Sequence, residues 1–302
     1  MDLSVIILNW NAASDTLRCV CDLAAWQRVR ATIWVVDNAS TDGSADIIER
    51  ECPQVRLIRN PVNLGFAGGN NRGLSEAINH STAPILLLNN DAAIAEDDII
   101  SLLETLTTYP SVGIVGPLLF DAENRNRLLT AGGQNMVRHL KSHTTKTTGE
   151  PAQIVDYVPG TVLLARAEVF HQAGLLDEDY FFNGETPDLC WRAKQFGYLS
   201  AVDTRARAYH ALERSSKFRE TLYTYYIIRN RFLFIRKFYR PFTRILLFSF
   251  WTFYSLALAT KLRLDGKAHA ACAVWLGLQD SRQSRFGGQN ERVLAACSVP
   301  VS

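Results

Sequence analysis

Three short apolar runs in the first third of the chain restrict its fold more than any other feature. They are LSVIIL at residues 3–8, TIWVV at 32–36 and PILLL at 84–88. Continuous apolar runs of this length are typical of strands covered on both faces, as in a parallel sheet. Helical patterns lie between or after them, at residues 13–26, 44–52 and 69–81. The alternation predicts βαβ crossovers and an α/β fold, a three-layer α/β/α sandwich with a mainly parallel sheet.

Each apolar run ends in a cluster of Asn and Asp: NWN at residues 9–11, DNAS at 37–40 and NND at 89–91. Ligands bind to such sheets beyond the carboxyl ends of the strands, so the clusters predict a binding edge. The alternative is that these residues only form turns and helix caps. Asp37 could bind a ribose in a dehydrogenase, but no G-x-G-x-x-G turn follows the first strand, which argues against that function.

The third cluster places one carboxylate, Asp91, beside the amides of Asn89 and Asn90. Mg²⁺ accepts few protein oxygens and completes its coordination shell with phosphate and water. Asp91 and a diphosphate would therefore suffice to hold a divalent cation. A capping role for Asp91 is the alternative.

Composition excludes several other classes of protein. The 302 residues carry 32 basic and 30 acidic side chains, so no overall charge favours nucleic acid as a partner. The six cysteines are scattered without a C-x-x-C pair, which indicates a reducing cytosol. The start, MDLSVIILNW, lacks the basic region of a signal peptide. Together these features favour a cytoplasmic protein.

Seven segments over residues 3–210 resemble, in order and spacing, family 2 of the inverting glycosyltransferases, especially its rhamnosyltransferase-like members that assemble polysaccharides. The segments are SVIILNWN, VVDNASTDGS, NLGFAGGNNRGL, ILLLNNDA, PGTVLLARAEVF, FFNGETPDLCWRAKQFGY and AYH. The resemblance implies a nucleotide-diphospho-sugar transferase (GT-A) fold over residues 1–215, with donor binding in 1–120 and the acceptor part in 121–215. A helical tail at 216–302 would follow.

The resemblance also implies the reaction. A sugar, with rhamnose as one candidate, would pass from a nucleoside diphosphate sugar to a lipid-linked or polysaccharide acceptor, with Mg²⁺ or Mn²⁺ as cofactor. Asp37 is implied to contact the base, and His210 is implied to be a metal ligand beside Asp91. The residues implied to bind the donor are Asn9, Asn11, Asp37, Asn38, Asn63, Gly65, Arg72, Asn89 and Asn90.

The catalytic base is where this chain departs from the family pattern. Many members read G-E-D-x-D-L where this chain reads GETPDL, so Thr186 stands at the position usually taken as the base. Inverting transfer needs a carboxylate that takes the proton of the acceptor hydroxyl, and threonine cannot serve. Glu185 is the first candidate and Asp188 the second, although Asp188 could instead stabilise a helix N-terminus. The alternative function is a catalytically weak binding module for sugar nucleotide or lipid carrier within an assembly complex.

The C-terminal tail predicts contact with a membrane. Residues 223–240 interleave aromatic and basic side chains, which is typical of a helix in the membrane interface. The apolar stretch at 245–260 is shorter than the roughly 20 residues that span a bilayer, and flanking cations indicate an interfacial or re-entrant hairpin. The predicted location is therefore peripheral, at the inner face of the cytoplasmic membrane.

The same residues of the tail also allow other interpretations. The two segments could form a helix pair packed on the catalytic domain or on a second subunit of a homo-oligomer, and Arg229 and Asn230 could line the acceptor end of the cleft. Single-stranded nucleic acid also binds aromatic and basic side chains, but the apolar stretch that follows disfavours it.

The remaining segments predict local structure only. Residues 125–153 read as a polar loop over the cleft with a turn at Gly132, residues 155–164 as one strand, and residues 167–173 and 188–196 as helices.

Overall fold

The computed structural model describes residues 1–211 and 219–297 and divides into two compact units. Residues 1–177 and 186–211 form the sheet unit, and residues 178–185 and 219–297 form the helical unit. The predicted domain boundary at residue 215 lies outside the described residues. The structure differs from the predicted division in one respect, because residues 178–185 group with the helical unit.

The sheet unit contains ten strands. They are β1 (Asp2–Asn9), β2 (Arg30–Asp37), β3 (Arg56–Arg59), β4 (Ile85–Asn89), β5 (Ala92–Ile94), β6 (Val112–Asp121), β7 (Leu128–Thr130), β8 (Ala152–Val155), β9 (Val162–Ala165) and β10 (Leu199–His210). Their order is β3-β2-β1-β4-β9-β6-β10-β5, with β7 beside β6 and β8 beside β10. The first four strands are mutually parallel, whereas β9 runs antiparallel to β4 and β6. The mainly parallel sheet was predicted from the apolar runs.

Helices cover both faces of this sheet. They are α1 (Ala13–Ala24), α2 (Ser44–Glu51), α3 (Gly65–His80), α4 (Glu96–Thr108), α5 (Ala167–Ala173) and α6 (Glu185–Gln195). Successive β1 side chains point to opposite faces. Val5 and Ile7 join one core cluster with Leu102 of α4, while Ile6 joins the other with Leu74 of α3. The three-layer sandwich follows from this alternation.

Two glycines bring α3 close to the sheet. A Cβ on Gly73 would lie 2.7 Å from Ile6 Cγ2, and a Cβ on Gly69 would lie 2.5 Å from Leu8 Cδ1. The residues are four apart and therefore share one helix face. This face allows the close approach of α3 to the ends of β1 and β2, where the polar clusters begin.

Three local predictions need correction. Residues 155–164 do not form one strand, because β8 ends at Val155 and β9 begins at Val162, and Pro159 and Gly160 lie between them. The segment at 125–153 includes the short strand β7 in addition to its loops. Helix α6 begins at Glu185 and not at residue 188. Pro187 is compatible with that start because a first-turn N–H has no partner within the helix.

The helical unit contains a short 3₁₀ turn and four helices: Glu178–Tyr180, α7 (Arg219–Phe238), α8 (Pro241–Leu264), α9 (Ala268–Arg282) and α10 (Asn290–Cys297). Asp280 of α9 is fully buried and accepts hydrogen bonds from Tyr225 Oη at 2.7 Å and Arg292 Nη2 at 2.9 Å. Burial alone would raise the pKa of Asp280, but these donors outweigh it, so that pKa lies below its ordinary value. This network ties α7, α9 and α10 together.

The prediction that residues 223–240 lie in a membrane interface was wrong. Tyr225, Tyr226 and Phe232 of α7 are at most 2% exposed, and Arg229 and Asn230 are fully buried. Arg229 and Asn230 therefore do not line an open acceptor cleft. Burial raises the pKa of Tyr226 to about 12, as expected for a phenol inside a core. Helix α7 is instead packed inside the helical unit, against α9 and α10.

The predicted hairpin at 245–260 was also wrong, because this stretch lies inside the continuous 24-residue helix α8. Within the residues that the structure describes, α8 is the one helix long and apolar enough to cross a membrane, with a mean hydropathy of 1.5 over an 18-residue stretch. Trp251 and Ser255 on one side of α8 are buried. Large apolar side chains on α8 are exposed: Phe242, Ile245, Leu246, Phe250, Phe253, Leu256 and Leu264.

Candidate active site

A chain of hydrogen bonds joins the carboxyl ends of β1, β2 and β4. Asn9 Nδ2 donates to Asp37 Oδ1 at 2.8 Å and to Ser40 Oγ at 3.1 Å. Thr16 Oγ1 donates to Asn9 Oδ1 at 2.8 Å, and Asn90 Nδ2 donates to Thr16 Oγ1 at 3.0 Å. The structure therefore brings the three predicted polar clusters together at one edge, as expected for parallel strands.

Thr16 and Ser40 are site residues that sequence reasoning missed. Thr16 is fully buried in the first turn of α1 and links Asn9 to Asn90. A hydroxyl in that turn resembles an ordinary capping residue, so the sequence gives no signal for this linking role. Ser40 lies in the cluster DNAS that predicts the binding edge, but the sequence predicts no role for its own side chain.

The turns after β1 and β2 have an unusual backbone. Asn11 and Ala39 adopt φ values of +51° and +62°. Asn tolerates this region, but Ala rarely occupies it unless its surroundings impose it. Asn11 N donates to Ser40 Oγ at 2.9 Å, and Thr41 N donates to Asn11 Oδ1 at 2.8 Å. The two turns are thus locked together beside the carboxylate of Asp37, whose Oδ2 accepts from Ser40 N at 3.1 Å.

A second group of predicted donor residues shapes the start of α3. Asn38 Nδ2 donates to Asn63 Oδ1 and to Gly65 O, both at 3.0 Å. Leu64 N donates to Asn38 Oδ1 at 3.0 Å, and Gly65 N donates to Asn63 Oδ1 at 2.8 Å. Gly65 has a φ of +72°, which favours glycine. Asn38 and Asn63 therefore hold this turn in shape. Arg72, on the same helix, is exposed.

Asp91 and His210 form the candidate metal centre. Asp91 follows β4, and His210 ends β10, where it pairs with Ala92 of β5. His210 Nε2 lies 3.2 Å from Asp91 Oδ1, and Ala211 N donates to Asp91 O at 3.1 Å. The side chains are only 10% and 26% exposed. Two residues 119 positions apart in sequence thus meet at the strand ends.

The geometry of this pair fits a cation. Asp91 Oδ1 is buried, and none of the described residues donates a hydrogen bond to it in spite of the nearby imidazole. A carboxylate oxygen and an imidazole nitrogen are both ligands for Mn²⁺, and carboxylate oxygen is the ligand that Mg²⁺ prefers. The described residues contain no group of three His, Cys, Asp or Glu that could hold a metal, so further ligands would have to come from a diphosphate or water. Asn89, the last residue of β4, adds no charge here.

The two candidate bases differ in their surroundings. Asp188 is fully buried and accepts from Arg192 Nε at 2.6 Å, while Arg192 Nη2 donates to Leu175 O at 2.7 Å. This ion pair ties α6 to the segment after α5, which favours a structural role for Asp188. Glu185 is the first residue of α6 and is 6% exposed, and its segment groups with the helical unit. Thr186 is 4% exposed.

Comparisons with known proteins find a matching family model and relatives that cover most of the chain. The family model "Glycosyl transferase family 2" matches residues 4–172. The "N-acetylglucosaminyl-diphospho-decaprenol L-rhamnosyltransferase" of Mycobacterium tuberculosis is 26% identical over 231 residues, which cover 69% of this chain and 75% of the relative. The "dTDP-rhamnosyl transferase RfbF" of Shigella flexneri is 25% identical over 252 residues, covering 80% of this chain and 82% of the relative.

A solved structure of similar fold is the mannosyltransferase PcManGT from Pyrobaculum calidifontis in complex with GDP-Man and Mn²⁺. Its TM-score is 0.59 at 17% identity, and the match covers 97% of this chain and 78% of that chain. The likeness confirms the predicted nucleotide-diphospho-sugar transferase fold.

Proposed function

Because the chain belongs to glycosyl transferase family 2, we propose that it moves a sugar from a nucleoside diphosphate sugar to a lipid-linked or polysaccharide acceptor with inversion. The chain is a glycosyltransferase, and its relatives support sugar transfer from a nucleotide sugar. The observation that carries the finer proposal is the pair Asp91–His210 on the same unit as the Asn9–Asp37 network. One group would hold the diphosphate through a cation and the other would hold the nucleoside.

The donor would lie along the linked strand ends of the sheet unit. Asp37, fixed by Asn9 and by the backbone of Ser40, would accept hydrogen bonds from the base. Asn11 and Asn90 extend the same network, and Asn38 and Asn63 shape the neighbouring turn. Rhamnose is the sugar that we propose, because both curated relatives described above carry rhamnosyl transfer in their names.

Asp91 and His210 would hold Mg²⁺ or Mn²⁺. When bound, the cation would neutralise charge on the departing diphosphate. Asp91 would supply a negatively charged ligand oxygen, and His210 would supply a neutral imidazole nitrogen as the second protein ligand. Arg72 of α3 would add a positive charge near the same leaving group.

Glu185 would be the catalytic base. It would take the proton of the acceptor hydroxyl, whose oxygen forms a bond to the anomeric carbon on the face opposite the diphosphate. The bond between the anomeric carbon and the diphosphate oxygen breaks, and its electron pair leaves with the nucleoside diphosphate. Asp188 is the second candidate, but its ion pair with Arg192 already uses one carboxylate oxygen.

Thr186 keeps one alternative function open: a binding module for sugar nucleotide or lipid carrier that transfers little sugar. A panel of nucleotide sugars with Mg²⁺ or Mn²⁺ tests the proposal. We expect at least one nucleotide sugar to raise the melting temperature of the purified chain in the presence of cation and to be consumed when acceptor is added. Binding without consumption across lipid-linked and polysaccharide acceptors would favour the binding module. Absence of any binding would contradict the proposed function.

We further propose that the exposed side of α8 attaches the protein to the cytoplasmic face of a membrane, where a lipid-linked acceptor would reside. Trp251 and Ser255 are buried, and the guanidinium of Arg231 from α7 lies 3.7 Å from the Trp251 ring centroid. Because its own unit covers one side of α8, we propose that α8 lies in the membrane interface and does not cross the bilayer as a helix surrounded by lipid. Cations flank the apolar stretch at both ends: Arg240, Arg244, Lys261 and Arg263. Such cations attract anionic lipid.

The double substitution Phe250→Asp with Phe253→Asp is expected to weaken binding to vesicles of phosphatidylglycerol and phosphatidylcholine by about 30-fold or more, because each exposed phenylalanine contributes apolar area. Co-sedimentation measures the change. Leu140→Asp, at an exposed leucine of the sheet unit, is the matched control and should bind vesicles as the unchanged chain does. Undiminished binding, or a change of oligomeric state in place of binding, would show that this face does not meet a membrane.

A further inference from the structure

The segment from Glu178 to Glu185 has the most unusual backbone in the helical unit. After the 3₁₀ turn, Phe181 and Asn183 adopt φ values of +61° and +68°, and Gly184 adopts +114°. Asn183 tolerates this region, but a bulky residue such as Phe181 rarely occupies it unless the surroundings impose it. The strained stretch leads directly into Glu185, so a neighbouring element must hold it in shape.

Asn230 of α7 holds this stretch by its backbone. Its Nδ2 group lies 3.0 Å from Tyr180 O, 2.8 Å from Phe182 O and 2.5 Å from Asn183 O. One amide group thus binds three carbonyls that point inward around the turn. Asn230 is fully buried, and Gly184 packs against its side chain, since a Cβ on Gly184 would lie 3.5 Å from Asn230 Cβ.

Arg229 supports the same segment from the preceding position. Its Nη2 donates to Asp179 O at 3.0 Å and to Tyr180 O at 2.9 Å, and its Nε donates to Asn230 Oδ1 at 2.9 Å. Its Nη1 donates to Gly287 O at 2.5 Å, while Gly287 N donates back to Asp179 O at 2.8 Å. The bond to Asn230 Oδ1 fixes the amide so that Nδ2 faces the three carbonyls.

Burial of Arg229 is costly unless its donors are used. A buried cation loses its hydration, and here the acceptors named above are neutral carbonyl oxygens. Aromatic rings recover part of the cost: the guanidinium lies 4.8 Å from the Tyr226 ring centroid and 5.8 Å from that of Phe286. Phe181 in turn stacks on Tyr226 at 5.4 Å. An apolar side chain could fill this space, but it could not bind the carbonyls of the strained segment.

We infer that Arg229 and Asn230 are positioning residues that fix the 178–184 backbone and thereby set the place of the Glu185 carboxylate. This inference rests on the proposed function, in which Glu185 is the base. The inference explains why Arg229 and Asn230 are buried in the aromatic helix α7. The sequence alone predicts that this helix contacts lipid or that these two residues contact the acceptor. Neither residue touches substrate in this role.

Asn230→Asp is the test. The aspartate keeps the shape but replaces the Nδ2 donor by an oxygen facing three carbonyl oxygens, so the segment must move. A displacement of about 1 Å costs on the order of 10²-fold in rate. We expect kcat to fall by about 10²-fold, while the affinity for the nucleotide sugar, which binds to the sheet unit, stays within about twofold. Arg229→Lys should lower kcat in the same way because lysine lacks the planar fork.

Tyr225→Phe is the matched control. Tyr225 lies on the same helix as Asn230, and its substitution removes the buried hydrogen bond to Asp280 of α9. The aromatic ring stays beside Arg229, and the 178–184 carbonyls keep their hydrogen bonds from Arg229 and Asn230. The substitution should lower the melting temperature yet leave kcat near that of the unchanged chain. If Tyr225→Phe lowers kcat as much as Asn230→Asp does, the effect is general destabilisation and the inference is wrong.

The outcomes separate this inference from the proposed function. Loss of transfer in Glu185→Gln with full kcat in Asn230→Asp would overturn the positioning role alone. Full activity in Glu185→Gln would remove the proposed base, and the positioning role would fall with it. If Asn230→Asp does not fold, Asn230→Ser supplies the same comparison with a smaller side chain, and a kcat within twofold of the unchanged chain would again overturn the inference.

Discussion

Replacement of Glu185 by glutamine is expected to lower the rate of sugar transfer by about 10³-fold while donor affinity stays within about twofold. The amide keeps the shape of the side chain at the start of α6 but cannot take a proton from the acceptor hydroxyl. Because the nucleotide sugar would bind through the sheet unit, its affinity should not depend on this proton transfer. Initial rates of nucleoside diphosphate release and a donor titration measure the two quantities separately.

Asp188→Asn is the comparison that decides between the two candidate bases. Asp188→Asn removes the counter-charge of the Arg192 guanidinium, which is 19% exposed, so the loss of folding free energy should be at most the roughly 3–5 kcal/mol of a fully buried pair. We expect a lower melting temperature and a nearly unchanged kcat per folded molecule. The reverse pattern, with activity lost in Asp188→Asn at constant stability and kept in Glu185→Gln, would make Asp188 the base.

Asp91→Asn is expected to abolish cation-dependent donor binding and to lower transfer by about 10³-fold, which corresponds to roughly 4 kcal/mol. Asparagine keeps an oxygen beside His210 Nε2 but removes the negative charge that Asp91 would bring to the proposed cation. Its neighbours at the end of β4, Asn89 and Asn90, are neutral and do not replace that charge. Donor titrations with and without Mn²⁺ measure the effect.

Asp97→Asn is the matched control for the Asp91 substitution. This carboxylate lies six residues further along the chain and is 83% exposed beside Arg28. Its substitution should change neither the Mn²⁺ dependence nor the rate. Cation-dependent binding that survives in Asp91→Asn would show that the cation, if used, is held elsewhere.

The sheet and the donor edge could be predicted from sequence because their signals are local. A buried parallel strand reads as a continuous apolar run, and its carboxyl end reads as the polar cluster that follows. Asn9, Asp37 and Asn90 were therefore placed together correctly from three separate runs. The approach of His210 to Asp91 could not be predicted from a local pattern. It depends on the pairing of β10 with β5, which are distant in the sequence. Only the family resemblance indicated it.

The helical unit could not be predicted in the same way. Aromatic and basic side chains at helical spacing occur both in membrane interfaces and in cores where carbonyl groups accept from buried cations, and α7 is the second case. No local pattern around Arg229 predicts this role, because its backbone acceptors lie about 50 residues earlier, at Asp179 and Tyr180, and 58 residues later, at Gly287. For α8, the apolar stretch alone ends at residue 260 and predicts too short a helix. The helix itself continues through polar residues to Leu264, and it contains no Gly or Pro after its first residue.

Inverting transfer is tested most directly by the anomeric configuration of the product. The donor selected from the nucleotide-sugar panel is incubated with the full chain, Mn²⁺ and an acceptor, and the new linkage is assigned by NMR. We predict a glycoside of the configuration opposite to that of the donor, formed by the unchanged chain and by Asp97→Asn but not by Glu185→Gln. A product that retains the donor configuration, or the same product formed at the full rate by Glu185→Gln, would contradict direct displacement with Glu185 as base.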